Sequence, residues 1–319
     1  MRAVPTYRGS GLPAQPAIVA LGGIVRASRL RKLIPLLLLM TNAMLIADGA
    51  ARMHVYVSAS LVVLLFSALG MQLNVLTDAP LDSRSKPELL AWLTANPTSL
   101  HIVMWCEGLA GAGLWAFVTL QNVLLGAALA AYVLCFVLYS YNVLAHGAEG
   151  AARLKIYWWG NALTVLGGYG ALWMAGFYLG RTGPMEAWSC AAIAATMSCI
   201  DYAVFLNECA GDAADERASG LKTLPALLGE QRTSAVAMVL LSASLLALAA
   251  LLAQGSAVVD RVSAAALLCH ALVQSAAAVC LLWLVRRKVR SWEWLVDSSF
   301  WLSRAGAFVI VAGGAWLFD

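Results

Sequence analysis

Val123 to Leu144 reads VLLGAALAAYVLCFVLYSYNVL, an apolar run without a charged residue. A stretch of this length crosses the hydrocarbon core of a bilayer as a helix, and its continuous Ala, Leu and Gly content lacks the alternation of a barrel strand. Eight further runs share the pattern: Leu33 to Ala51, Val55 to Leu76, Leu100 to Gln121, Ile156 to Leu179, Trp188 to Leu206, Ala235 to Ala253, Val262 to Val285 and Trp294 to Phe318. Across the 319 residues, 61% are hydrophobic and only 12% charged, with a mean hydropathy of +0.78, so no water-soluble core could absorb the apolar surface. The expected class is an all-α membrane protein, a bundle of about nine spans. Residues 1–32 form an N-terminal segment and 33–319 a single transmembrane domain.

Basic residues set the orientation. With the N-terminus inside, the inside segments carry Arg2, Arg8, Arg26, Arg29, Arg31 and Lys32, then Arg84 and Lys86, Arg153 and Lys155, Arg217, Lys222 and Arg232, and finally Arg286, Arg287, Lys288 and Arg290. The other side has Arg52, Arg181 and Arg261, so the positive-inside rule makes the N-terminus cytoplasmic. The net charge of +4 therefore describes loop asymmetry, and no nucleic acid need be invoked. The expected location is a bacterial cytoplasmic membrane. No cleavable signal peptide is evident, and the first span does the targeting. Seven cysteines lie in or at the ends of spans without C-x-x-C spacing, and read as small packing residues.

Chemistry concentrates in two acidic clusters. The first, NVLTDAPLDSRSKPE, places Asn74, Asp78 and Asp82 at spacings of four, on one helical face, with Pro80 expected to kink or end the helix between the aspartates. The second, NECAGDAADERASGLKTLPALLG, contains Asp212, Asp215 and Glu216 after Asn207 and Glu208. Both fall on the cytoplasmic side. Carboxylates crowded at a membrane boundary repel one another unless a cation joins them, and Mg²⁺ takes one or two carboxylates together with phosphate oxygens. Lys86, Arg153, Lys155, Arg217 and Lys222 supply the complementary charge for a diphosphate. One such cluster is ordinary for a solvated loop; two on one face suggest a bridged diphosphate.

These residues resemble a known family. N-x-x-x-D-x-x-x-D at Asn74, Asp78 and Asp82, closing in Lys86-Pro87-Glu88, is similar to the first signature of the UbiA superfamily of membrane-embedded prenyltransferases. Asp212 through Pro225, with Gly220, Thr223, Leu224 and Pro225 as G-x-x-T-L-P, is similar to the second. Tyr139-Ser140, Arg153-Leu154-Lys155 and Asn161 echo the stretch between them. Two positions depart from the pattern: Val75 stands where many members have Asp, and Glu216 replaces the last aspartate of the second signature.

The resemblance implies Mg²⁺-dependent ionisation of an allylic isoprenoid diphosphate and transfer of the prenyl group to a lipophilic or aromatic acceptor. Asp78, Asp82, Asp212 and Glu216 would carry catalysis; Asn74, Asp78 and Asp82 would hold one Mg²⁺, and Asp212, Asp215 and Glu216 the other. Tyr139, Asn161, Asp201 and Asn207 are candidates for acceptor contact or support. A terpene cyclase on the same scaffold, a phosphoribosyl-type transferase to a polyprenyl phosphate and a membrane transporter are the competing readings. Charged residues inside spans are costly, about 2.5 to 3.5 kcal/mol each on insertion scales. Asp48 is expected to pair with Arg52, and Arg304 with Asp297 two turns earlier on its helix. Trp158, Trp159, Trp188, Trp292 and Trp294 read as an interfacial belt, and none of the four histidines is assigned a catalytic role.

Overall fold

Small side chains let neighbouring helices approach closely, and Ala187–Ala210, rich in Ala, Ser and Cys, is a largely buried helix. The helices around it in chain order are α1 (Leu30–Ile46), α2 (Met53–Asp82), α3 (Pro97–Gln121), α4 (Val123–Ser140), α5 (Trp158–Gly180), the central α6 (Ala187–Ala210), two short helices α7 (Ala213–Ala218) and α8 (Leu224–Leu228), then α9 (Glu230–Ala253), α10 (Arg261–Arg286) and α11 (Glu293–Phe318). The computed structural model describes residues 28, 30–47, 51–82, 96–140, 154, 157–180, 187–218, 220–254, 261–287 and 293–318. Among them, eight helices are long and apolar enough to span a bilayer, and α1 adds a shorter apolar helix. The about nine expected spans thus correspond to these nine elements.

Packing runs as a ring around one interior space. α1 lies against α2, α5 and α11; α4 joins α5 to α2 and α3; α6 touches α5, α9, α10 and α11; and α10 closes against α11. Among the described residues α3 packs mainly on α2 and α4, and its outer face carries exposed Ile102, Trp105 and Leu109, as a lipid-facing helix should. Trp158, Trp159, Trp188 and Trp294 are exposed as the belt reading requires; Trp292 lies outside the described residues.

Two elements differ from the sequence reading. α2 continues through Pro80 to Asp82, so the proline does not end the helix between the two aspartates. Its 30 residues span about 45 Å against a hydrocarbon core of about 30 Å, which carries the end of the first acidic motif beyond the apolar layer. Arg304 pairs with Asp201 on α6, at 3.0 Å, while Asp297 pairs with Lys32 on α1, at 3.5 Å, replacing the expected Arg304–Asp297 pair. Same-helix spacing permits a pair, but a buried charge selects the partner that neighbouring helices bring closest. The proposed Asp48–Arg52 pair lies outside the described residues.

The close approach of α5 to the backbone of α1 depends on two glycines. A Cβ built on Gly176 would sit 2.2 Å from the Met40 carbonyl oxygen, and one on Gly180 would sit 2.2 Å from that of Met44, so the G-x-x-x-G face of α5 lets the backbone of α1 approach directly. We expect Gly176→Val to destabilise the protein in detergent by about 1–3 kcal/mol. Gly113→Val, where nothing lies within 4 Å, should leave the unfolding temperature essentially unchanged. Equal unfolding temperatures for the two variants would contradict this contact's importance.

Candidate active site

The ends of helices whose sequence directions alternate meet at one face of the bundle. There α1 starts, α2 ends, α4 ends, α5 starts, α6 ends and α11 starts, and these six segments enclose a cavity of about 270 Å³. Lys32, Asn74, Tyr139, Ser140, Glu208 and Asp297 bring polar groups to it; Tyr132, Phe136, Tyr169, Phe205 and Phe300 give it aromatic walls. Asn74 and Glu208 come from the two acidic stretches, far apart in sequence, and border the same space.

Glu208 is the residue that sequence reasoning undervalued. The sequence sets it beside the second cluster, and Glu208, Asp212 and Glu216 repeat the spacing of four seen in Asn74, Asp78 and Asp82. Glu208 closes α6, Asp212 sits in the following turn, and Glu216 lies on α7, with the Glu216 amide donating to the Asp212 carbonyl at 2.9 Å. Lys32, one of the basic residues that set the orientation, holds its ammonium over Asp297 at the cavity.

Local structure explains the G-x-x-T-L-P stretch. Gly220 has φ +73°, a left-handed value that glycine adopts without penalty, and turns the chain back after α7. Thr223 caps α8, accepting from the Ala226 amide at 3.3 Å, and its hydroxyl donates to Glu216 Oε2. Pro225 occupies the first turn of α8, where its missing N–H costs nothing. Arg217 donates from Nε to the Ala226 carbonyl at 2.9 Å, which ties α7 to α8. A parallel bridge joins Tyr157 to Lys222, and the Trp158 amide donates to the Lys222 carbonyl at 3.0 Å. The chain just after Arg153-Leu154-Lys155 is thereby fastened to the second acidic loop.

Other sequence candidates fall in distinct places. Tyr139 borders the cavity. Asn161 accepts from the Tyr202 hydroxyl at 3.3 Å, and buried Asn207 donates to the Ala278 carbonyl at 3.3 Å, so both meet neighbouring helices. Lys86, Arg153 and Lys155, and the side chains of Asp78, Asp82 and Asp215, lie outside the described residues. Glu107, another charge within a span, accepts from Gln72 Nε2 at 3.1 Å. Among the described residues, no three His, Cys, Asp or Glu side chains form a ready cage for a metal.

Below the polar rim lies a second charged layer. Asp201, completely buried, meets His270 Nε2 at 3.0 Å through one oxygen and Arg304 at 3.0 Å through the other. The Arg304 guanidinium also lies over Phe300, 4.6 Å from its ring centroid, and Arg304 itself borders the cavity. Asn42 on α1 donates to the Arg304 carbonyl at 2.9 Å, so α1, α6, α10 and α11 are joined in one network.

The fold and this polar-rimmed, aromatic-walled cavity define a membrane-embedded helical protein with an oxygen-rich site at one end of the bundle. The model of the UbiA prenyltransferase family matches residues 33–303, and the chain belongs to that family. Its fold is similar to a UbiA homolog from Archaeoglobus fulgidus bound to GPP and Mg²⁺, with a TM-score of 0.65, 16% identity, and coverage of 91% of this chain and 99% of that chain. The same homolog bound to DMAPP and Mg²⁺ gives a TM-score of 0.63 at 16% identity, with the same coverage of 91% and 99%. A structure of digeranylgeranylglyceryl phosphate synthase gives 0.54 at 14% identity, covering 92% of this chain and 96% of that one. Among curated proteins, no sequence matches.

Removing one side of the buried ion pair strands the other. We expect Asp201→Ala to cost about 3–5 kcal/mol of stability, measured by thermal or denaturant unfolding in detergent. The double variant Asp201→Leu/Arg304→Met should lose less than this single one, because no buried charge is left alone. A double variant less stable than Asp201→Ala would show that the charges are not coupled.

Proposed function

We propose that this chain ionises an allylic isoprenoid diphosphate with the help of Mg²⁺ and transfers the prenyl group to a lipophilic or aromatic acceptor. One observation carries the reading: Asn74 and Glu208, from the two acidic motifs, border a single cavity whose deeper walls are aromatic. Support comes from family membership and from a similar fold whose structures are described as bound to GPP or DMAPP with Mg²⁺.

The donor set fits the ion. Asn, Asp and Glu offer hard oxygens, and Mg²⁺ completes its octahedron with water and substrate phosphate, so a preformed three-carboxylate cage is unnecessary. Asn74, Asp78 and Asp82 would hold one ion; Glu208, Asp212, Asp215 and Glu216 the other. When bound, Mg²⁺ supplies charge neutralisation for the departing diphosphate. Lys32 and Lys222, with Lys86, Arg153 and Lys155, would take the phosphate oxygens left over, while Arg217 keeps α7 and α8 in place.

The reaction breaks the allylic C1–O bond, and the electron pair leaves with the diphosphate. The acceptor supplies the electrons of the new bond to C1 and afterwards gives up a proton. Phe136, Tyr169 and Phe300 keep water from the allylic cation and present π faces to it. Thr223 fixes Glu216 through its hydroxyl and so supports the second motif. The positive-inside distribution supports a cytoplasmic location for this face.

Purified protein in detergent should release diphosphate from geranyl or dimethylallyl diphosphate only with Mg²⁺ and an acceptor present. Glu208→Gln and Asn74→Ala should each weaken the apparent Mg²⁺ affinity about 10–100-fold. A cyclic hydrocarbon formed without acceptor would replace this reading by a cyclase, and absence of both turnover and diphosphate binding in folded protein would overturn it.

A further inference from the structure

A groove of about 390 Å³ lies at the end of the bundle opposite the acidic rim, where α10 starts and α11 ends. Glycines shape it. The two helices touch at Gly314, where an added Cβ would sit 2.3 Å from Val262 Cγ1, and further in at Gly306, where it would sit 3.0 Å from Cys269 Sγ. Gly313, next to the outer contact, has nothing within 4 Å of the same position, so its missing side chain leaves open space. Ala265, Val309 and Ile310 continue the groove inward as apolar walls, with Val309 67% exposed. From Arg261 to Ala265 on α10, and from Gly313 back to Val309 on α11, the walls advance about 6 Å along each helix.

The polar end of the groove is Arg261. It is the first residue of α10, and Gly314 ends the apolar stretch Trp294–Gly314 of α11, so Arg261 stands at the level where hydrocarbon gives way to head groups. Among the described residues no carboxylate pairs with it. The positive-inside rule gives no reason for a cation here: with the N-terminus inside, only Arg52, Arg181 and Arg261 fall on this side.

Lipid tails surround the whole bundle, so apolar surface alone selects no ligand. What sets this place apart is the order of its parts, a guanidinium at the interface followed inward by an apolar recess. A guanidinium takes two oxygens of a phosphate side by side. A glycerophospholipid presents the matching order along the same axis: phosphate, then glycerol, then acyl chain. A free phosphate would use Arg261 alone, and an uncharged lipid would use the recess alone.

We infer that this groove binds one glycerophospholipid, with its phosphate on Arg261 and the glycerol end of one acyl chain between α10 and α11 beside Gly313. The groove is remote from the cavity and takes no part in the proposed reaction. A lipid seated there braces α10 against α11, the two helices whose His270 and Arg304 hold Asp201 further in.

Three compounds separate the parts: dioleoyl phosphatidylethanolamine, dioleoylglycerol, which has the chains without the phosphate, and glycerophosphoethanolamine, which has the phosphate without the chains. Each is titrated into full-length, lipid-stripped protein in detergent, and bound molecules are counted by native mass spectrometry. On the wild type the first phospholipid should bind at least about tenfold more tightly than dioleoylglycerol, the scale of one charge-assisted contact, and glycerophosphoethanolamine should not bind at the same concentrations. Arg261→Gln should abolish the phospholipid's advantage over dioleoylglycerol, whereas Arg52→Gln, on the same side but at the start of α2, should leave it unchanged. Gly313→Leu fills the groove without meeting a neighbour, so it should keep the unfolding temperature of the lipid-free protein and weaken phospholipid binding about fivefold or more. Equal affinities for the two lipids on the wild type, or an equal loss in Arg52→Gln and Arg261→Gln, would overturn the phosphate contact. Undiminished phospholipid binding by Gly313→Leu, or glycerophosphoethanolamine binding as tightly as the whole lipid, would overturn the seat for the chain.

Discussion

Asp201 and Arg304 cannot be separated from the architecture around them, because a single charge left in that position would face several kcal/mol of desolvation without relief. Their pairing joins the central α6 to α11, His270 draws in α10, and Asn42 fastens α1 to the Arg304 backbone. Four helices are thus held at one depth, and the Phe300 and Tyr169 rings lie against the guanidinium as part of the same arrangement. The cavity owes its floor to this cluster and its mouth to the helix ends above it. What the apolar packing supplies elsewhere is closeness, as where Gly176 and Gly180 admit the backbone of α1.

The two layers divide the chemistry. At the mouth, Asn74, Glu208, Lys32 and Asp297 form a polar rim of both signs, suited to a strongly hydrated head group and its metal ions. Further in, aromatic rings line the space and Arg304, paired with Asp201, borders it. Prenyl transfer needs such a gradient, since the leaving group requires polar stabilisation while the cation requires dryness.

Much of this was legible in the sequence because the bilayer constrains it strongly. Continuous apolar runs located every long helix to within a few residues, and Asn74 of the first motif borders the cavity together with Glu208, which precedes the second. The errors came from pairings across helices. Spacing on α11 suggested Asp297 as the partner of Arg304, but sequence carries no record of which helix lies alongside, and Lys32 and Asp201 claimed those two residues instead. Glu208 was discoverable, since it extends the four-residue spacing of Asp212 and Glu216 back onto α6. His270 carried no such signal: its significance lies wholly in Asp201, on a different helix. Of the two effects expected of Pro80, a kink or an end, the end does not occur, because the helix continues to Asp82.

The link between Tyr157 and Lys222 is made by main-chain atoms, with the Trp158 amide meeting the Lys222 carbonyl. Side chains at these positions can therefore change without uncoupling the segment that precedes α5 from the second acidic loop. Evolution can retune the charge and reach of the loops by substitution while their alignment is inherited intact, so specificity and scaffold are free to drift at different rates.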